Sequence, residues 1–166
     1  IESLSDSETY AQRDQLFRNT RDGNYKQVST NAGEYFSQAF VGRSSISGDY
    51  NNDGYTDIFI VNSNQRVILL RNEGDHSNNW FHIKLVGTRS NRDGIGAKVR
   101  VTTGKTIQTA EMKSGNGYAS DSDQRLLFGI GDHKKIDQLE IRWPSGITQR
   151  IKNSPCNQIV TITEEN

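Results

Sequence analysis

Hydrophobic positions along this chain come in short runs, mostly of period two, and helical periodicity is scarce. Residues 79–86 set Trp80, His82, Lys84 and Val86 against Phe81, Ile83 and Leu85, as a half-buried strand does. Runs over 56–62 and 66–71, joined by Ser63-Asn64-Gln65, predict a hairpin. Further strands are predicted over 97–103 and 105–113, meeting at Gly104, and over 125–129, 136–143, 147–152 and 157–163. Asp22-Gly23-Asn24, Asn91-Arg92-Asp93-Gly94, Gly115-Asn116-Gly117 and Pro144-Ser145-Gly146 supply turns between them. The best helical candidate is 7–17. Many short strands at regular spacing predict an all-β chain built as a sandwich, barrel or propeller. The texture changes over 73–79 (EGDHSNN): earlier strands sit among Asn, Asp and Gly, and later ones are longer and alternate more regularly. A boundary is therefore placed between 1–78 and 79–166.

Composition narrows the reading. The hydrophobic share is 32% of 166 residues. Counting Gly and omitting Tyr raises it to about 37%, below the usual 45–50% or so. Such a chain is rich in short elements and polar loops. Twenty basic and 20 acidic residues cancel, which argues against a general nucleic-acid binder or a basic membrane-surface segment. The longest apolar runs, 58–61 and 67–70, are too short to cross a bilayer, so no membrane insertion is expected. No signal peptide is visible at Ile1, which predicts a cytosolic, already processed or partial chain. A single Cys156 allows no internal disulfide and no multi-Cys zinc site.

The sharpest chemical signal is Asp49-Tyr50-Asn51-Asn52-Asp53-Gly54-Tyr55-Thr56-Asp57. Asp49, Asn51, Asp53 and Asp57 occupy loop positions 1, 3, 5 and 9, and the Tyr55 carbonyl can add another oxygen. Hard cations such as Ca²⁺ take six to eight oxygens, part charged and part neutral. Gly54 suits the sharp reversal such a loop needs. An EF-hand also requires a bidentate Glu at position 12, where this chain has Ile60, so that reading fails. An Asx-rich turn that binds nothing competes, since the same residues favour turns. Three carboxylates and an amide at this spacing favour the metal. Without it Asp49, Asp53 and Asp57 would repel one another.

Tests for enzymes return little. Gly104-Lys105-Thr106 lacks the phosphate-loop glycine, because Val99 stands there. Gly94-Ile95-Gly96 and Gly129-Ile130-Gly131 lack the third glycine of a dinucleotide fingerprint and read as tight turns at strand ends. No serine sits in a nucleophile elbow. His76, His82 and His133 lack metal-helix spacing, and His82 reads as a surface imidazole. Cys156 reads as a half-buried structural thiol. Asp93, Asp121 and Asp123 lie in Gly/Ser-rich loops, either as turn caps or as a second cation or ligand site. Trp80 and Tyr118 are candidate ligand-stacking residues, Tyr118 the better because Gly117 lets a partner approach. Trp143 reads as a core anchor.

Two resemblances span about 15–163. Residues 48–62 resemble the calcium loop of FG-GAP/VCBS repeats, the propeller blades of integrin α-chains and many secreted bacterial proteins. Leu16-Phe17-Arg18-Asn19 with Asp22-Gly23-Asn24-Tyr25 resembles the outer hairpin of such a blade, and Leu69-Leu70-Arg71-Asn72 repeats its wording. Residues 79–85, 90–99, 114–118, Ser122-Asp123, 128–131 and Arg142-Trp143-Pro144-Ser145-Gly146 resemble the ASPIC/UnbV domain. The resemblance implies a partial β-propeller segment with a calcium loop over 1–78, then an antiparallel β-sandwich or barrel-like domain over 79–166. It also implies a secreted or cell-surface location and a binding role. A propeller closes with about 4–8 blades, which 1–78 cannot supply, so the chain reads as the C-terminal part of a longer protein. The expected function is a non-enzymatic, extracellular Ca²⁺-binding module for adhesion or for carbohydrate or protein binding, with Tyr118, Asp121, Asp123 and Trp80 as ligand candidates. The alternative is a structural subunit or cap, with remaining blades or another subunit as partner and the calcium purely architectural. A weaker third reading is a carbohydrate-active enzyme using Asp121 and Asp123.

Overall fold

The structure, a computed structural model, describes residues 9–20, 22–74, 77–115 and 117–166. His76, Asn116 and the first residues of the 7–17 helical candidate lie outside them. In chain order the strands are β1 (Gln12–Arg13), β2 (Phe17–Asn19), β3 (Tyr25–Gln27), β4 (Ala39–Phe40), β5 (Gly42–Gly48), β6 (Asp57–Asn62) and β7 (Ile68–Leu70). They continue with β8 (Asn79–Val86), β9 (Lys98–Thr103), β10 (Thr106–Glu111), β11 (Leu126–Gly131), β12 (Lys135–Arg142), β13 (Thr148–Pro155) and β14 (Gln158–Thr163). Two short 3-10 turns, Ser29–Asn31 and Glu34–Ser37, are the helical elements among the described residues. The chain is all-β. The helix expected over 7–17 is corrected within 9–17, where β1 and the start of β2 stand instead. Its apolar positions are too few to bury a helical face, and strand pairing satisfies the backbone.

The chain divides into two compact units, Ile1–Ser45 with Phe59–Ile68, and Ile46–Ile58 with Leu69–Asn166. β5, β6 and β7 form a three-stranded sheet in that order.

The first unit is made of small ribbons. β2 and β3 form an antiparallel hairpin with Phe17 opposite Gln27, and β1 pairs with β4. Its turn is closed by Thr20 N–H to the Asn24 carbonyl at 3.0 Å. Tyr35 stacks on Phe40 with ring centroids 5.4 Å apart and donates its hydroxyl to Asp14. Among the described residues Ile60 is this unit's one buried hydrophobic, while Phe17 and Tyr25 of the hairpin are 50% and 68% exposed.

The second unit holds the main core. One sheet runs β10-β9-β12-β13, antiparallel throughout. The other runs β11-β8-β14. β8 pairs antiparallel with β11 but parallel with β14, Gln158 opposite Phe81. The wholly antiparallel expectation is thus corrected at β14. A parallel neighbour needs a long crossover, and the whole stretch between β8 and β14 provides it. Phe81, Ile83 and Leu85 from β8, Phe128 and Ile130 from β11 and Ile162 from β14 pack with Val99, Val101, Ile136, Leu139 and Ile141 of the other sheet in one buried cluster. Each such side chain contributes about 1.5–3 kcal/mol of burial. Trp143 closes the end of β12, 1% exposed, with its Nε1–H donated to Gln149 Oε1 at 3.0 Å. Gly129-Ile130-Gly131 forms the end of β11, at an irregularity of register between Gly129 and Gly131, with Gly131 at φ +65.

Glu164 fastens one end of this unit. Its carboxylate accepts the N–H groups of Thr88, Arg89 and Ser90 at 2.9, 2.8 and 2.7 Å, and the hydroxyls of Ser90 and Ser145. It thereby holds the loop after β8, the Pro144-Ser145-Gly146 turn and the C-terminal segment together. Burial pushes this carboxyl up, but the Ser145 hydroxyl and the three N–H groups outweigh it and hold the pKa down at about 2.

A candidate cation loop

β5 ends at Gly48 and β6 begins at Asp57, and the loop between them is organised by its own aspartates. Asp49, 1% exposed, accepts Asp53 N–H on Oδ1 at 3.1 Å and Gly54 N–H on Oδ2 at 2.8 Å. Asp53 Oδ1 accepts Tyr55 N–H at 2.9 Å, and Asn51 Oδ1 accepts Asp53 N–H at 3.3 Å. Asp57, 2% exposed, accepts Tyr50 N–H at 3.2 Å and Asn72 N–H at 2.8 Å. This is a succession of Asx turns, each side chain capping a backbone group a few residues on. Gly54 has φ +94, and a Cβ there would stand 2.1 Å from Trp80 Nε1, so both conformation and space demand glycine.

Arg125, which the sequence reading did not single out, ties this loop to the start of β11. It donates to the Asp49 carbonyl and to Asn52 Oδ1, each at 2.6 Å, and pairs with the Asp123 carboxylate. Asp123 N–H in turn donates to the Ser47 carbonyl at 3.0 Å. Burial pushes Asp123 up, but its hydrogen bonds and charge pairing with Arg125 win and lower its pKa. An acid catalyst needs the opposite shift. No local motif marks the tie to the loop, because Asn52 and Asp49 lie more than 70 residues from Arg125 in sequence.

His82 overturns its surface reading. It is 1% exposed, because the loop and Trp80 cover that face of β8. The Trp80 ring centroid lies 4.6 Å from that of His82. Burial lowers the imidazole pKa, against the upward pull of Asp49. Trp80, Asn79, Tyr55, Asn72 and His82 help line a cavity of about 220 Å³.

The structure thus brings Asp49, Asn51, Asp53, Tyr55 and Asp57 into one loop and sets Trp80 and Asp123 beside it. Tyr118 is 77% exposed, and Asp121 accepts Gln124 Nε2–H at 3.3 Å. Among the described residues no three His, Cys, Asp or Glu side chains converge as a ligand set. The donor chemistry nevertheless suits a hard cation. Two carboxylates are almost wholly buried. Arg71 lies 3.9 Å from Asp53, and the Arg125 guanidinium on the Asp49 carbonyl attracts the Asp49 charge. The N–H groups on Asp49 and Asp57 use two of each carboxylate's roughly four lone-pair sites.

No curated protein matches the chain. β8, the central strand of its sheet, immediately precedes the stretch that matches a known family. Residues 87–166, which carry β9 to β14, match the family model described as ASPIC and UnbV.

Proposed function

We propose that this chain is a non-enzymatic, extracellular Ca²⁺-binding β module that presents a surface to a carbohydrate or protein ligand. The supporting observation is the loop at 49–57, with its two buried carboxylates. Asp49, Asn51, Asp53, Asp57 and the Tyr55 carbonyl would hold the ion. When bound, the ion neutralises the aspartates and cross-links the loop. Residues 1–78 are read as FG-GAP/VCBS-type propeller structure, on their resemblance and on the β2–β3 hairpin. Tyr118, held out beside Gly117, is the ligand contact proposed on the other segment, with Asp121, Asp123 and Trp80 as further candidates.

Thermal unfolding with and without Ca²⁺ tests the cation. Saturation at a hundredfold Kd stabilises by about 2.7 kcal/mol, so Ca²⁺ raises Tm and excess chelator lowers it. An unchanged curve in chelator counts against the reading. A glycan array probed with and without Ca²⁺ tests the ligand class. The exposed Phe17 and Tyr25 favour a second reading, a structural subunit whose calcium is architectural. Light scattering separates the two, since a subunit associates and a binding module stays monomeric.

A further inference from the structure

The charges of this chain cancel in sum, but they are not spread evenly. Register fixes the outer face of the sheet β10-β9-β12-β13, because Val99, Val101, Leu139 and Ile141 are its buried, paired positions. The alternate positions point the other way. They carry Lys98 and Arg100 on β9, Arg142 on β12, and Arg150 and Lys152 on β13, all exposed. Two acids share the face, Glu111 and Glu140. Glu140 accepts Arg150 Nε–H at 2.7 Å. Asp137, nearer the start of β12, accepts Gly104 N–H and pairs with Lys135. Among the described residues Lys98, Arg100, Arg142 and Lys152 make no ion pair. Lys98 stands directly opposite Arg142, with Arg100 two residues along β9. Like charges directly opposite each other destabilise a sheet, and an anion lying over them removes the repulsion. The positions that carry these cations are about 4.8 Å apart between strands and about 6.7 Å apart along them. The array is therefore an extended surface and not a pocket for one small anion.

We propose that the outer face of β9, β12 and β13 binds a sulfated polysaccharide, whose sulfate groups lie over Lys98, Arg100, Arg142 and Lys152. This rests on the carbohydrate reading and names its chemical class; it needs neither the cation loop nor Tyr118. The planar fork of arginine holds an oxyanion through paired N–H donors, and lysine adds a point charge on a long stem. A nucleic acid fits this face less well, because its cross-strand rows carry no aromatic ring on which a base could stack. A bilayer fits less well too. Binding at a membrane surface draws on an apolar face as well as on charge, and the rows bring one large apolar side chain, Ile107. A count of charges cannot show the array, because its members come from separate strands and meet only through sheet register.

Binding of the full chain to heparin is measured over a range of NaCl concentrations, beside neutral dextran, duplex DNA, single-stranded RNA and phosphatidylserine vesicles. Heparin is expected to bind and dextran not to. The logarithm of the heparin affinity should fall linearly with that of the salt, as counterions are released. Lys98→Glu with Arg100→Glu and Arg142→Glu should weaken heparin binding about tenfold or more and flatten the salt slope by about one for each cation removed. Lys26→Glu with Arg43→Glu and Lys84→Glu makes the same change of net charge at exposed positions off this face, and should cost far less. Equal losses in the two triple variants overturn the assignment of the face. In the unmutated chain heparin should shield Lys98 and Lys152 from acetylation but not Lys84, a reading that holds even where a variant fails to fold. Uniform reactivity overturns the assignment. DNA, RNA or vesicles bound more tightly than heparin at equal salt give the face to that partner and overturn the glycan. No heparin binding, with a neutral glycan bound on the array, overturns the proposal and leaves the carbohydrate reading standing; no binding to either overturns both.

Discussion

Arg125 shows how much one side chain can organise. Its guanidinium serves the Asp49 carbonyl, the Asn52 amide oxygen and the Asp123 carboxylate at once, using the planar fork that lysine lacks. Arg125→Ala leaves Asp123 partly buried without its partner and frees the loop. The expected loss is about 1–3 kcal/mol in urea unfolding, with Arg125→Lys recovering little of it. Gly54 is the complementary case. Gly54→Ala meets both a left-handed φ and the Trp80 ring, so it should destabilise by more than the roughly 1 kcal/mol of a merely strained backbone and lower Tm accordingly. A Tm equal to that of the parent would show that Trp80 does not lie on Gly54. Both residues were hidden to different degrees. The glycine is legible from its place in the aspartate pattern. The arginine is not, because its bonds to Asn52 and to the Asp49 carbonyl join distant segments and leave no periodicity.

At the scale of elements, alternation was a reliable guide where one face meets a core. β8 occupies the 79–86 span that its pattern indicates, with Phe81, Ile83 and Leu85 inward. Its other face was misread at His82, since alternation cannot tell a solvated face from one covered by a loop. Truncating the core tests the packing: Ile83→Ala or Leu139→Ala should cost about 2–5 kcal/mol, measured by denaturant midpoint. The segments around Glu164 carry a pH signature. Its folded pKa of about 2 lies below the ordinary 4.5, so its contribution is complete above pH 4.5 and disappears as pH falls through about 2. Glu164→Gln should lower Tm at neutral pH and flatten the acid limb of the stability curve. An acid limb unchanged by this substitution would assign the protons to other carboxylates.

For the molecule as a whole, the division of compact units places 46–58 with 69–166. The 49–57 loop therefore lies in the same unit as the stretch that matches ASPIC and UnbV. A chain begun at residue 79 would lose the loop's contacts with Arg125 and the cover over His82. It should melt below the full chain and show no response to divalent ions. Equal melting temperatures in both would mean that the loop adds nothing to this unit.

By itself the sequence determined the all-β class, most strand positions in the second half, the Trp143 anchor and the aspartate loop. These follow from local rules: period-two burial, turn residues at strand ends, and oxygen side chains at alternate loop positions. The tertiary structure decided the parallel pairing of β14 with β8, the clamp at Glu164, the Arg125 bridge and the burial of His82 against Asp49. Each joins segments far apart in the chain. Such contacts are selected by the shape and charge of the assembled core, a property that no window of neighbouring residues carries.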